Sequence, residues 1–345
     1  MKILFVSNMY PSKEKAYAGI FVKNQFEELQ KQIGPADKLD IFYMKRSFTS
    51  SVGSVFKYVG AFFRFIPYFF KRYDVVHVHY FFPLILLAWV KKKLNPNTKI
   101  VVTFLGRDIN SQVNEKNKAF FQRIAKSVDY SIPVGKTMAD QVQKKLNLNK
   151  IKILPCGVDS TIFYHEKETQ KVYDFISVGS FIHRKGIDTV IEAIKKLPKG
   201  SNIKFCFCGS GEYKNQLVKL QNDYNITIKE NQTQPMLRTL LNQSRFFLLM
   251  SRAEGFATAT TEAFFCHVPV LTSDIDNFKE QVTVGKNGYM VPLEDAETLV
   301  KKFNELHDLG QEEYGKLQVG ASESFRDASL SNVCSEILKI YHELV

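Results

Sequence analysis

Short runs of β-branched and aromatic residues alternate along the chain with longer segments of helical spacing. Residues 2–8, 38–44, 75–80, 99–104 and 130–134 read as strands, and 21–31, 84–93, 116–126 and 138–146 as helices. This alternation predicts a parallel sheet with crossover helices. The pattern restarts after Val158-Asp159. The polar, Glu- and Lys-rich segment 161–172 reads as a linker. Beyond it, strands are expected at 174–178, 203–208, 227–229, 245–250, 268–272 and 288–291. Helices are expected at 187–196, 213–222, 236–242, 258–266, 296–309 and 330–344. The fold class is therefore α/β, with two Rossmann-like doubly wound domains over residues 1–165 and 166–329. The closing helix, about 330–345, is expected to pack back on the first domain. Open parallel sheets bind ligands beyond the carboxyl ends of their strands, so two such domains facing each other define a central cleft.

The length of 345 residues suits two domains rather than one core. No apolar run reaches the roughly 18–20 residues of a membrane span, and the start reads as a buried strand without a small-residue cleavage site. Five scattered cysteines fit a reducing, cytoplasmic setting. Cys206 and Cys208 share one strand face and read as core.

Charge changes the picture further. Residues 1–165 hold 26 Lys and Arg against 11 Asp and Glu, a balance of +15, and the remainder hold 21 against 24. A basic half implies an anionic partner, and no nucleic-acid motif is present. Residues 56–72 interleave eight aromatics with Lys57, Arg64, Lys71 and Arg72. Helices lying in a membrane interface have this composition, and the alternative is a core helix with a solvated edge. Pro67 is expected to break the segment in two. The patch at 81–93 reads as a core helix.

The segment Ser251-Arg252-Ala253-Glu254-Gly255-Phe256-Ala257-Thr258-Ala259-Thr260-Thr261-Glu262-Ala263 leads from a strand through a small-residue loop into a helix. Amides at a helix start suit a diphosphate, and Glu254 and Glu262 could hold sugar hydroxyls on either side. A capped helix with incidental acids is the alternative.

The spacing Glu254-x7-Glu262, followed by Pro269-Val270, resembles the signature of the retaining GT-B glycosyltransferases of family 4. Further resemblances cover nearly the whole chain: Val178-Gly179-Ser180 through Lys185-Gly186-Ile187-Asp188, Cys208-Gly209-Ser210-Gly211, Leu154-Pro155-Cys156-Gly157-Val158-Asp159, Asn287-Gly288-Tyr289-Met290-Val291, Asp74-Val75-Val76-His77-Val78-His79, and Ala18-Gly19-Ile20. The resemblance implies transfer of a sugar from a nucleotide diphosphate donor to a glycan or lipid-linked acceptor, without metal or resident cofactor. UDP is the default because it is the commonest donor in such families. The setting it suggests is cell-surface polysaccharide assembly at the inner membrane face.

The resemblance also assigns roles. Glu262 would take the ribose and Glu254 the donor sugar. Gly255 and the amides of Phe256, Ala257 and Thr258 would cradle the diphosphate. Lys185 would meet the leaving group, and Gly19 would let the first loop approach it. Ser180 stands where the family commonly has Arg, and Arg184 is the candidate replacement cation. Leu105, in Thr103-Phe104-Leu105-Gly106-Arg107-Asp108, replaces a frequent His, so no side-chain acid or base is expected there. Ala257 and His267 replace glycines, tolerable if φ is negative. His79, nearer the carboxyl end of its strand than the core residue His77, is placed on the acceptor side with Asp108. Asp274-Ile275-Asp276 resembles a metal-binding motif of a different glycosyltransferase fold and is not expected to bind one here. Two rivals remain open: a nucleotide-sugar epimerase on the same architecture, and a non-catalytic partner subunit.

Overall fold

Five apolar runs of the first half pair in parallel in a computed structural model. It describes residues 1–11, 19–44, 51–110 and 112–345, with the backbone alone at 51–58, 107 and 110. The expected roles of Ala18 and of the Lys57 side chain lie outside the described residues. The strands are β1 (Lys2–Ser7), β2 (Lys38–Tyr43), β3 (Val75–His79), β4 (Lys99–Phe104) and β5 (Tyr130–Pro133), in the order β2-β1-β3-β4-β5. Phe5, His77 and Val101 lie in register across β1, β3 and β4. Ile3, Leu4, Phe5 and Val6 are all fully buried, because helices cover both faces of a parallel sheet.

The second half forms β6 (Tyr173–Val178), β7 (Lys204–Cys208), β8 (Asn225–Lys229), β9 (Ser244–Leu249), β10 (Val270–Ser273) and β11 (Gly288–Val291). These are also parallel, in the order β11-β10-β9-β6-β7-β8. Phe175 packs on Phe205, Phe246 and Phe303 on one face. Cys206 and Cys208 are buried on the other as free thiols, their sulfurs 3.7 Å apart.

The chain divides into Met1–Gly157 with Leu330–Val345, and Val158–Ser329. The cut precedes residue 165, and 161–172 is not a free linker. Val158 and Phe163 are buried in the second core, and the Val158 amide bonds the Ala328 carbonyl. The Leu330–Leu344 helix returns to the first unit, where the Tyr341 hydroxyl lies 2.5 Å from His77 Nδ1.

Two elements differ from expectation. The Ser51–Phe70 helix runs through Pro67 unbroken. The proline stands in the last turn, where one missing N–H frees only the carbonyl of Phe63, a residue on the exposed side. Buried Lys91 then caps the end, its Nζ donating to the Phe69 carbonyl at 2.9 Å and to the Lys71 carbonyl. Burial lowers the pKa of this ammonium. The Gln311–Glu323 helix escapes the periodicity because it carries Gly315 and Gly320. At Gly320 a Cβ would come 1.9 Å from the Lys286 carbonyl oxygen, so close packing requires the glycine.

Candidate active site

In the second sheet, chain order reverses between β6 and β9, which pair directly. That is the switch point at which open α/β sheets place ligands, and the loops leaving these two strands carry the expected donor residues. After β6 the chain is pinned by buried Phe181, whose amide bonds the Ser210 carbonyl at 2.8 Å. A single turn, His183–Lys185, follows and ends on Gly186 at φ 67°. A Cβ at Gly186 would lie 1.8 Å from the Met250 carbonyl oxygen. The two loops therefore meet backbone to backbone, and the Arg252 amide donates to the Arg184 carbonyl at 2.9 Å.

This approach brings Lys185, Arg184 and Glu254 together. Lys185 Nζ lies 2.6 Å from Glu254 Oε1, which also accepts from Ser251 Oγ at 2.6 Å. Arg184 lies 3.5 Å from Glu254 Oε2 and donates to the Ala253 carbonyl at 2.8 Å. The Glu254 side chain is only 8% exposed, and these partners satisfy its buried oxygens. The cations remain partly open, at 19% and 40% exposed, and can face an anion from solvent.

The loop continues through Gly255 into the helix Thr258–Phe265, which has no side-chain cap. Among the described residues, the amides of Phe256, Thr258 and Ala259 have no protein acceptor. Ala257 does: its amide points at Gln281 Oε1, 3.4 Å away, so the predicted cradle lacks that member. Gln281 Nε2 returns to the Ala257 carbonyl at 3.2 Å and to Thr261 Oγ1 at 3.3 Å. Asn277 Nδ2 holds the Gly255 carbonyl at 3.0 Å, and Ser273 Oγ holds the Ser251 carbonyl at 2.5 Å. Arg252 forks onto Asp188 with two contacts of 2.8 Å and also pairs with Glu294. Sequence reasoning missed these four braces. Only Arg252 and Asp188 gave a signal, since both sit inside the matched segments.

Glu262, one turn into the helix, has no hydrogen-bond partner among the described residues. Burial pushes its carboxyl up to about 7. The folded chain thus holds this proton more tightly than the unfolded one, and stability should fall as pH rises from about 4.5 to about 7. A ribose donating to the carboxylate should bind better above pH 7. We expect the wild-type melting temperature, measured against Glu262→Gln, to drop across that window, and nucleotide affinity to rise across it in the wild type alone. A parallel response of the two proteins would remove the assignment.

Asp274 and Asp276 both pair with Lys279, at 3.2 and 3.3 Å. Among the described residues no cluster of three or more His, Cys, Asp or Glu suits a metal ion. Ala257 has φ −80°, as its substitution for glycine requires. His267 does not: its φ is +55°, a left-handed turn after the helix, with its ring stacked on His165 at 4.4 Å.

The remaining candidates belong to the first unit. Gly19 opens the helix Ile20–Gln32 at φ 80°, where a Cβ would come 2.9 Å from the Met9 carbonyl carbon. The chain itself demands that glycine. The two acceptor-side residues are corrected to interior ones. His79 is fully buried, its Nε2 donating to Gln25 Oε1 at 2.6 Å, and burial holds it neutral. Asp108 is fully buried and accepts from the amides of Phe81 and Gly106 at 3.0 and 2.8 Å. Burial raises its pKa against those bonds. Both brace the ends of β3 and β4; His79 also lines a small cavity with Phe21, Gln25 and Thr103, its buried Nδ1 without a partner among the described residues. His77, bonded to Thr103 and Tyr341, is held neutral at a pKa of about 3 by burial.

Comparison with known proteins gives the family and the fold. Glycosyl transferases group 1 matches residues 159–318, and Glycosyltransferase Family 4 matches residues 27–161. The chain is a GT4-like glycosyltransferase of the GT-B fold. An uncharacterized glycosyltransferase of Methanocaldococcus jannaschii is 29% identical over 280 residues, 79% of this chain and 76% of the relative. TuaC of Bacillus subtilis, a glycosyltransferase assigned to teichuronic acid biosynthesis, is 25% identical over 80% of this chain and 81% of its own. Among solved structures, HepE of Anabaena in complex with UDP and glucose superposes with a TM-score of 0.73 at 14% identity, covering 99% of this chain and 100% of that one. With the family, the epimerase and non-catalytic readings are set aside.

Proposed function

We propose that this enzyme is a retaining, metal-independent transferase. It moves a sugar from a nucleotide diphosphate sugar to a glycan or lipid-linked acceptor in polysaccharide biosynthesis, at the inner face of an anionic membrane. The observation that carries this reading is the buried Glu254 carboxylate, compensated by Lys185 and Arg184 and followed at once by unpaired helix-start amides.

The donor diphosphate would lie on the amides of Phe256, Thr258 and Ala259, with Glu262 accepting from the ribose and Glu254 from the sugar hydroxyls. The acceptor hydroxyl attacks the anomeric carbon as the bond to the diphosphate oxygen breaks. The departing oxygen takes the acceptor proton on the same face, which preserves configuration. Lys185 and Arg184 stabilise the negative charge that develops on the leaving diphosphate. Leu105 fits this scheme, since no side-chain base is asked of it. The UDP bound in HepE makes UDP-sugars the first donors to test.

A panel of nucleotide sugars should raise the melting temperature for one or a few members, since a ligand binding only the folded chain stabilises it. With that donor, transfer should give a product of unchanged anomeric configuration at the same rate with and without EDTA. No stabilisation by any nucleotide sugar, an inverted product, or a strict divalent-cation requirement would contradict the reading.

A further inference from the structure

Among the described residues, the helix Ser51–Phe70 has no polar outer face. Ala61, Phe65 and Phe69 turn inward and are buried in the first core, with Arg64 lying over the Phe42 ring. At 3.6 residues per turn, the outward stripe falls on Val59, Phe62, Phe63, Ile66 and Phe70. All five are exposed, Phe63 at 63% and Phe70 at 79%. An ordinary surface helix places charged and polar side chains there, so this stripe lacks a partner.

The margins say what that partner is. Arg64, Lys71 and Arg72 are exposed along one edge, and the sequence has no Asp or Glu between 51 and 72. Arg64 donates to the Tyr43 carbonyl at 2.9 Å, and Lys71 is 3.9 Å from the half-exposed Asp40. Arg72 has no ion-pair partner within 4 Å among the described residues. No helix is long and apolar enough to cross a membrane among the described residues. Aromatic side chains on one face with cations beside them match a helix lying in the plane of an anionic bilayer. A second copy of the chain fits less well, because a two-fold contact through this stripe would set the two cationic edges near each other.

We propose that Val59, Phe62, Phe63, Ile66 and Phe70 form a docking face that inserts among acyl chains, with Arg64, Lys71 and Arg72 on the phosphate headgroups. It specifies the membrane part of the function proposed above, and is independent of the donor site in the second unit.

The test is co-sedimentation of the full chain with vesicles of phosphatidylcholine alone, or mixed equally with phosphatidylglycerol. The mixed vesicles should pellet the wild type. Phe63→Ser/Phe70→Ser should weaken binding by roughly tenfold or more, and Lys71→Ala/Arg72→Ala should weaken binding to mixed vesicles only. Since these four side chains are exposed, melting temperatures should stay unchanged, which excludes misfolding as the cause. Stabilisation by nucleotide sugar should also persist in both variants; its absence in every protein would count against the donor site and leave the docking face standing. Wild type remaining in the supernatant, equal binding to neutral vesicles, or a concentration-dependent dimer that Phe63→Ser/Phe70→Ser dissociates without any vesicle binding would each overturn the proposal.

Discussion

Glu254→Gln should lower transfer by at least about 100-fold while leaving nucleotide affinity within a few-fold, because it removes one charged contact made in the transition state. The substitution keeps shape and one acceptor oxygen for Ser251, so the loop should hold its path. Lys185 and Arg184 lose their counter-charge, but both reach solvent, and the cost to stability should be about 1–2 kcal/mol. Lys185→Met should lose a similar factor in rate. Since the two groups touch at 2.6 Å, and Glu254 holds the Lys185 ammonium while it takes the donor sugar, the double variant should be little worse than either single one. Asp276→Asn is the control: that side chain is 80% exposed, and it should leave turnover unchanged. Normal turnover in Glu254→Gln, or losses that multiply in the double variant, would dissolve the shared role.

What could be read from the sequence follows from how far apart the contributing residues lie. Glu254, the helix start and Glu262 sit on one continuous loop and helix, so spacing alone put them at the carboxyl end of β9. Lys185 needed a second segment, yet its place after β6 was legible because Gly186 and Asp188 flank it in the matched pattern. Gln281, Asn277 and Ser273 were not legible. Ser273 ends β10 and the other two lie beyond it; each reaches the loop through a single amide or hydroxyl, and no periodicity encodes such a contact. His79 shows the opposite limit. Strand position correctly put it near the carboxyl end of β3, but a parallel sheet is covered on both faces, and Gln25 from the Ile20–Gln32 helix closes over it. Pro67 failed as a helix breaker for a third reason: the cap on the last turn comes from Lys91, more than 20 residues away.

Gly186→Ala should be among the most damaging single-methyl changes in the second unit. The residue holds φ 67°, which costs an alanine about 1–2 kcal/mol. The added Cβ would also stand 1.8 Å from the Met250 carbonyl oxygen and 2.6 Å from its carbon, and neither atom is the end of a flexible side chain. Backbone must move, so the total loss should reach about 3 kcal/mol or more. For a unit of this size that is roughly 10 °C in melting temperature. Gly200→Ala separates the two contributions: Gly200 has φ 75°, and a methyl group there would meet nothing within 4 Å, so it should lose only about 1 kcal/mol. The displacement at Gly186 acts on function through geometry. It opens the gap between the β6 and β9 loops, and with it the 2.6 Å contact of Lys185 with Glu254. Transfer should therefore fall in Gly186→Ala even at temperatures where the chain remains folded, with kcat reduced more than donor affinity. If Gly186→Ala melted no lower than Gly200→Ala, or kept full activity, the two loops would not be held together by that backbone contact.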